Sequence, residues 1–441
     1  MEIALAHPLQ LALLGVGLVF FGNIALRNPR RAAQLVVFLL PTYLLRVRQG
    51  PLPTNVLELL ILVFFVAVAV RIIFRKERLT SPPRAFWLPL TLLALGGTVS
   101  AVAAVVGSGY DPETTRTTLG ALKGFLLEPV LFVLLLTSLP HSDRSSTSVI
   151  RAYVWSVTAV AGTALLGGLV TSHLSLVAEF LTYDGRLRGF YESPNQLAMY
   201  ILPAAALLLA GGGSETARNA MRNGAKGPSF FARALLALML LSALIWTQSA
   251  GAFLGLATAL LLYAVSRKPY AGKQFSLYAI RYTLYALVML GLLVPFIGAQ
   301  FADTAWEEGW RSPGASRTMI WRAGVELLKT DGLLGIGPGM FQERYLALQE
   351  QFPPYLEWAV PHPHNLVLAV WLSTGVLGFV GFTWLIVGAF RRIQNPEISI
   401  QVKEIAISMA LMAILTHGLV DTTFLKNDLG IVLLLFIATR Y

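Results

Sequence analysis

The sequence Pro361-His362-Pro363-His364-Asn365 runs directly into an apolar segment from Leu366 to Phe379, which contains Gly375 and Gly378. It joins the longest polar stretch of the chain to a segment apolar enough to enter a membrane. Two imidazoles and an amide are costly at the edge of such a segment, and polar groups retained there usually serve a function. We interpret the rest of the chain as a membrane scaffold that holds this corner against an arginine-bearing one at residues 186–195.

The composition is that of a membrane protein. Hydrophobic residues make up 56% of the chain and charged residues 13%, and the mean hydropathy is +0.66, whereas a soluble domain carries about 25% charged residues. The net charge of +11 comes from Lys and Arg in short loops between apolar segments, which is typical of cytoplasmic loops rather than of nucleic-acid binding. The absence of cysteine excludes disulfide bonds, Cys-based metal sites and a thiol nucleophile.

Thirteen segments are candidates for membrane spans, each of which needs about 20 apolar residues. They are 9–26, 32–46, 56–74, 86–107, 119–138, 148–170, 195–211, 232–248, 250–265, 280–299, 364–390, 404–420 and 428–440. Loops rich in Lys and Arg are assigned to the cytoplasm, which places 108–118, 171–194, 300–363 and 421–427 outside. The connection between the first two segments has only five residues, which is tight for a hairpin. If one of the two segments does not cross, twelve spans remain and both ends lie in the cytoplasm.

We therefore predict an all-α polytopic membrane protein with twelve or thirteen transmembrane helices. Residues 1–299 hold the N-terminal helices, 300–363 form one long outer loop, and 364–441 hold the C-terminal helices. Two short helices are predicted in the loop, separated by a glycine-rich turn. Ser316 is predicted to cap the first, the turn is Gly335 to Gly339, and the second is 341–351; the apolar faces are Met319, Ile320, Ala323 and Leu327, then Phe341, Tyr345 and Leu348.

Arg186 and Arg188 lie in an outer loop with glycines beside them. A guanidinium group binds phosphate oxygens in a bidentate manner, so this pair suits an anionic ligand. The alternative is that both side chains reach lipid phosphates at the membrane surface. Arginines in short outer loops run against the positive-inside rule, which favours the functional interpretation.

Arg317, Trp321 and Arg322 fall on the first short helix of the long loop. They suit substrate binding, but an interfacial amphipathic helix with Trp at the level of the lipid headgroups would have the same composition. The glycine-rich turn lacks the Lys-Ser/Thr of a nucleotide-binding loop, so nucleotide hydrolysis is not expected. An enzyme of this kind would take its driving force from the substrate and need no cofactor.

His362 and His364 allow three interpretations. A His-x-His pair can bind zinc, but no third ligand is apparent nearby, and Glu357 is the only close acid. The pair could also form a polar cap on the following helix together with Asn365. The third interpretation is a general base, because imidazole titrates near neutral pH. His417 and Asp421 are predicted on one helix face, four residues apart, in a structural hydrogen bond.

Three sequence elements between about residues 180 and 380 resemble the bacterial O-antigen ligases of the O-antigen ligase/polymerase superfamily. They are Arg188-Gly189 with Pro194-Asn195, Arg317-x3-Trp321 followed by Leu334-Gly335-Ile336-Gly337-Pro338-Gly339-x-Phe341, and His364-Asn365-x9-Gly375-x-x-Gly378. One departure is visible, since members often carry Ser-Arg-Gly where this chain has Ser249-Ala250-Gly251.

The resemblance implies a polytopic fold like that of the GT-C glycosyltransferases with about twelve transmembrane helices, which favours the lower of the two counts. It also implies transfer of polysaccharide from an undecaprenyl-pyrophosphate-linked O-antigen donor to a lipid A–core acceptor. The reaction would take place on the periplasmic side of the bacterial inner membrane, among membrane lipids, without metal or another cofactor. Rival interpretations are an O-antigen polymerase, a protein O-glycosylating relative and, from another class, a membrane transporter.

Under this interpretation the transfer inverts the anomeric carbon in a single displacement. His364 is predicted to act as the general base, and Arg188 and Arg317 to stabilise the leaving pyrophosphate. The residues predicted to bind substrate are Arg186, Asn195, Trp321, Arg322, His362 and Asn365.

Overall fold

The computed structural model describes residues 3–47, 54–140, 145–173, 180–182, 184–211, 230–266, 313–348, 351, 360–391 and 398–441. The first part of the chain contains β1 (Ile3–Leu5), α1 (Pro8–Arg27), α2 (Pro29–Phe38), a 3₁₀ helix (Leu40–Leu44), β2 (Leu45–Val47), β3 (Thr54–Asn55), α3 (Val56–Arg75) and α4 (Arg84–Gly107). The middle part contains α5 (Pro112–Ala121), a π-helical segment (Leu122–Leu127), α6 (Glu128–Ser138), α7 (Ser145–His173), α8 (Pro194–Gly211), α9 (Phe230–Thr247) and α10 (Ala250–Ser266). The last part contains α11 (Pro313–Asp331), α12 (Phe341–Leu348), α13 (Leu366–Arg391), α14 (Ile398–His417) and α15 (Asn427–Ala438).

Apolar helices dominate the described part of the chain, as expected of a polytopic membrane protein. Six of them are long and apolar enough to cross a membrane: Pro8–Arg27, Val56–Arg75, Arg84–Gly107, Pro112–Ser138, Ser148–Thr171 and Leu366–Arg391. Shorter apolar helices are Pro194–Ala210, Phe231–Thr247, Ala250–Ser266, Glu404–His417 and Asn427–Ala438. These helices coincide with predicted segments, whereas the predicted segment 280–299 lies outside the described residues. The total of twelve spans and the domain boundaries therefore remain predictions.

Segment 32–46, whose crossing the sequence left open, does not form a membrane-spanning helix. Helix α2 has 10 residues, which corresponds to about 15 Å, or half the thickness of the hydrocarbon core. Pro41 lacks the N–H that would continue an α-helix, and the chain passes into the 3₁₀ helix and β2 instead. β2 pairs in parallel with β1 and antiparallel with β3, and this small sheet accompanies a described chain that is mostly helical, as predicted.

Glycines allow the backbones of α4 and α13 to approach each other closely. A Cβ atom on Gly96 would overlap the backbone of Gly378. Within α13, Gly375 has a φ of 63°, and a Cβ there would lie 2.6 Å from the carbonyl oxygen of Leu333. Small residues permit this kind of helix packing in membranes, so the Gly-x-x-Gly element has a structural reason.

The predicted short helices of the long loop are confirmed as α11 and α12. Their buried apolar residues share one cluster: Met319, Ile320, Ala323, Leu327, Phe341 and Tyr345. Ser316 lies inside α11 and is buried rather than at its N-terminus, because the helix begins earlier, at Pro313. The predicted turn is present between the two helices, where Gly335, Gly337 and Gly339 all have positive φ. The Gly337 N–H donates to Ser100 Oγ at 3.0 Å, which anchors the turn to α4.

Candidate functional site

The His364 corner is fixed to the chain between α14 and α15. The side chain of Asn365 caps α13, since its Oδ1 accepts from Leu368 N–H at 3.1 Å. Its Nδ2 donates to the Leu419 carbonyl at 3.0 Å, so the capping role considered for Asn365 is observed. His364 itself has a φ of 46°, a left-handed conformation that is uncommon for residues other than glycine. The Trp321 indole N–H donates to the His364 carbonyl at 3.2 Å, which joins α11 to the corner.

His364 is paired with Asp421. The His364 Nδ1 atom lies 3.0 Å from Asp421 Oδ1, and the Asp421 side chain is only 3% exposed. A carboxylate can only accept here, so Nδ1 carries a proton, and in the neutral ring Nε2 is the nitrogen with the lone pair. Helix α14 ends at His417, so the predicted pairing of His417 and Asp421 on one helix face is wrong. The chain turns after Gly418 and carries Asp421 to His364 instead.

The carboxylate also connects this corner to the arginine-bearing one. Asn195 Nδ2 donates to Asp421 Oδ2 at 3.1 Å, and Asn195 Oδ1 accepts from Arg186 Nη2 at 3.2 Å. Arg186 Nε in turn donates to the carbonyl of Thr247 at 3.0 Å. Three predicted site residues, Arg186, Asn195 and His364, are thus joined through one carboxylate.

The Arg186 loop is shaped by a tight turn that rests on the end of α9. Gly185 has a φ of 75°, and its carbonyl accepts from the Trp246 indole N–H at 3.1 Å. The Leu187 N–H donates to the Trp246 carbonyl at 3.0 Å, and the Leu187 side chain is buried. An apolar residue between two arginines therefore holds the loop in place and leaves Arg186 directed toward Asn195.

The other predicted arginines lie on the Arg186 loop and on α11. Arg188 is half-buried, and its backbone N–H donates to Phe180 at 3.0 Å. Arg317 is half-buried one helical turn before Trp321 and is close enough to His417 for their charges to interact. Arg322 is exposed. It lines an open groove of about 450 Å³ on α11 together with Thr318, Trp321, Val325, Glu326 and Lys329.

The departure at Ser249-Ala250-Gly251 lies at the start of α10, next to the site. A Cβ atom on Gly251 would overlap the ring of His417, so this glycine is required for close packing. Position 250 carries no cation, but Arg317 lies near the same histidine. The charge of Arg317 therefore acts on the same histidine that packs against Gly251.

His362 lies against His364, with the two ring centroids 4.5 Å apart in a T-shaped arrangement. Its Nδ1 is buried and has no hydrogen-bond partner among the described residues. Burial, followed by the charge of Lys426, lowers the pKa of His362 to about 3, so its ring is neutral near pH 7. His362, His364 and Asp421 each offer one metal-ligating atom, and these atoms lie within 4.8 Å of one another. Asp421 therefore offers the third metal-ligating atom that the sequence did not reveal.

Asp421 and Lys426 are the charged residues that sequence reasoning missed as parts of the site. Burial acts to raise the pKa of Asp421, but the His364 hydrogen bond and the neighbouring imidazoles outweigh it and hold the pKa below its usual range. Burial lowers the pKa of Lys426, opposed by the charges of Asp421, Glu192 and Asp428. A lysine in a short loop that is predicted to lie outside departs from the positive-inside rule, and this departure is the signal that the sequence offers.

Comparison with protein families supports the resemblance. Residues 234–383 match the family model described as O-antigen ligase. This match includes Arg317, Trp321 and His364 but not the Arg186 loop or Asp421. A search of curated proteins found no match. The superfamily predicted from the three sequence elements is thereby confirmed.

Proposed function

We propose that this chain, a member of the O-antigen ligase superfamily, transfers polysaccharide from undecaprenyl pyrophosphate to a sugar hydroxyl of lipid A–core. The apolar helices and the family domain support the broader description of a membrane-embedded glycan ligase or polymerase. The observation that carries the finer proposal is the contact between His364 Nδ1 and Asp421 Oδ1, at 3.0 Å. The contact orients His364 as a base, and Asn195 joins the same carboxylate to Arg186.

In the proposed step, His364 Nε2 removes the proton of the acceptor hydroxyl. Asp421 keeps the imidazole in the tautomer with a lone pair on Nε2, and it stabilises the imidazolium that forms. The acceptor oxygen bonds to the anomeric carbon as the bond from that carbon to the phosphate oxygen breaks. The two events on opposite faces of the sugar invert the anomeric centre. The proton ends on His364 and the bond electrons on the pyrophosphate.

The departing undecaprenyl pyrophosphate gains negative charge that must be stabilised by cations already in place. Arg186, Arg188 and Arg317 are proposed for this role, with Trp321 and Arg322 binding the sugars beside them. Arg186 is the best supported of these cations, because Asn195 joins it to the carboxylate that holds the base. Because the sugar–phosphate bond supplies the driving force, the step as written needs neither nucleotide nor metal.

The proposed site lies on the periplasmic face of the bacterial inner membrane. His364, Asn195 and Asp421 lie at helix ends that the positive-inside rule assigns to the outside. The Arg186 loop immediately precedes α8, so it lies on the same side as these helix ends. The lipid chains of donor and acceptor would remain among the apolar helices, so both headgroups would meet at one depth.

The test is glycan transfer by purified full-length protein in EDTA, with undecaprenyl-pyrophosphate glycan as donor and lipid A–core as acceptor. We expect His364→Ala to lower the turnover by at least about 10²-fold, because general bases typically contribute 10²–10⁴-fold. His7→Ala is the matched control, since His7 lies at the exposed start of α1. Near-normal turnover of His364→Ala would refute the base assignment. Donor glycans that join to one another while lipid A–core is ignored would show a polymerase.

A further inference from the structure

We propose that His362, His364 and Asp421 form an inhibitory site for a divalent transition-metal ion of the zinc class. The inhibition rests on the function proposed above, whereas the binding does not. The site uses the groups assigned to catalysis and adds His362, to which the transfer step gives no role.

The three side chains have the composition of an open zinc site. Two imidazole nitrogens and one carboxylate oxygen are a common set of three protein ligands, with a fourth position left for water. One such atom from each residue lies within 4.8 Å of the others. Bond lengths of 2.0–2.1 Å in a tetrahedral site place ligand atoms about 3.3 Å apart. Small side-chain rotations of His362 and His364 would therefore close the site around an ion.

A second observation points to a ligand at this place. The Nδ1 atom of His362 is buried and lacks a hydrogen-bond partner among the residues that the structure describes. The neighbouring His364 is already hydrogen-bonded to Asp421. An ion bound between the two rings would therefore add His362 to the pair of His364 and Asp421. Lys426 is close enough to act on His362 and Asp421 by its charge. This charge opposes a cation, so we expect weaker binding than in structural zinc sites.

Occupancy by the ion excludes the catalytic role of the same groups. A His364 nitrogen bound to zinc cannot accept the acceptor proton, and a carboxylate bound to zinc no longer orients the ring. We therefore expect free zinc to inhibit the protein reversibly and a chelator to relieve this inhibition. The transfer reaction itself would need no metal.

Binding is tested first, without reference to activity. Purified full-length protein is titrated with Co²⁺, whose visible absorption intensifies in a tetrahedral nitrogen and oxygen site. We expect a saturable signal at one equivalent in the wild type and its loss in His362→Asn and in Asp421→Asn. His7→Asn is the control, with the same substitution at an exposed histidine, and should retain the signal. A signal unchanged in His362→Asn would overturn the assignment, and so would no signal in the wild type.

Inhibition is tested in the transfer assay with free Zn²⁺ fixed by a metal buffer. Each variant is compared with its own zinc-free rate, and we expect the half-inhibitory concentration to rise at least about 10-fold in His362→Asn. Equal zinc sensitivity in this variant, or activation of the wild type by zinc, would overturn the proposal. If the wild type transfers no glycan, the proposed function fails while the Co²⁺ titration still decides the site. If transfer occurs and Co²⁺ does not bind, only the metal site fails.

Discussion

Replacement of Asp421 by Asn tests the pairing at the centre of the site. The substitution keeps the size of the side chain and can keep the contact with Asn195, but it removes the charge 3.0 Å from His364 Nδ1. The Asn amide can also donate to that nitrogen, which would move the imidazole proton to Nε2 and disable the base. The Asp421 side chain is buried, so solvent would compensate little for the lost charge.

The magnitude follows from the geometry. Two unit charges about 4 Å apart interact by about 4 kcal/mol at an effective dielectric constant of 20, and about 1.4 kcal/mol corresponds to a tenfold change in rate. The imidazolium formed during proton transfer would lose most of this stabilisation. We therefore expect Asp421→Asn to lower kcat by about 10²–10³-fold, with a small change in KM for the donor.

The assay is steady-state glycan transfer over a range of donor concentrations, with thermal unfolding measured in parallel to verify the fold. Asp331→Asn is the matched control, because that carboxylate pairs with Arg344 at 3.0 Å on the partly exposed end of α11. The control should retain kcat within about twofold. A folded Asp421→Asn protein with a kcat near that of the wild type would refute the role of Asp421 as the partner of the base.

Three further changes test the arginine loop, the kinked helix and the buried histidine. Arg188→Ala should reduce kcat/KM for the pyrophosphate-linked donor by about 10-fold or more, and unchanged donor use would place Arg188 outside the site. Gly375→Ala should lower the free energy of unfolding by at least about 1 kcal/mol, because alanine is strained at a φ of 63° and its Cβ would collide with the Leu333 carbonyl. Gly15→Ala, where nothing lies within 4 Å, should have little effect in the same thermal unfolding assay. The pKa of His362 is lowered to about 3 in the fold, so the unfolded chain binds more protons as pH falls below about 6.5, and stability falls with it. Between pH 7.5 and 5 we expect the protein to lose about 1–2 kcal/mol of stability that His362→Asn does not lose, and equal losses in both would contradict this origin.

The sequence by itself determined the features that depend on local pattern. Continuous hydropathy identified most of the apolar helices, because a span must satisfy its backbone hydrogen bonds within one segment. Helical periodicity identified the apolar face of α11, including Met319 and Leu327. Glycine and proline marked the turn from Gly335 to Gly339, since positive φ favours glycine. Hydropathy left a span at 32–46 open, and the structure decides against it because the α-helix ends before Pro41.

Tertiary structure alone decided which polar residues meet. Asp421 is separated from His364 by 57 residues and from Asn195 by 226 residues, and no local pattern distinguishes it from another acid in a short loop. The pairing of Asp421 with His364 depends on where α14 ends. It also depends on the turn that follows, which is held to the start of α13 because the Leu366 N–H donates to the Gly418 carbonyl at 2.6 Å. The sequence could name His364 as a base because imidazole chemistry is a property of the residue. The carboxylate that orients it is a property of helix packing, which brings distant segments within hydrogen-bonding distance.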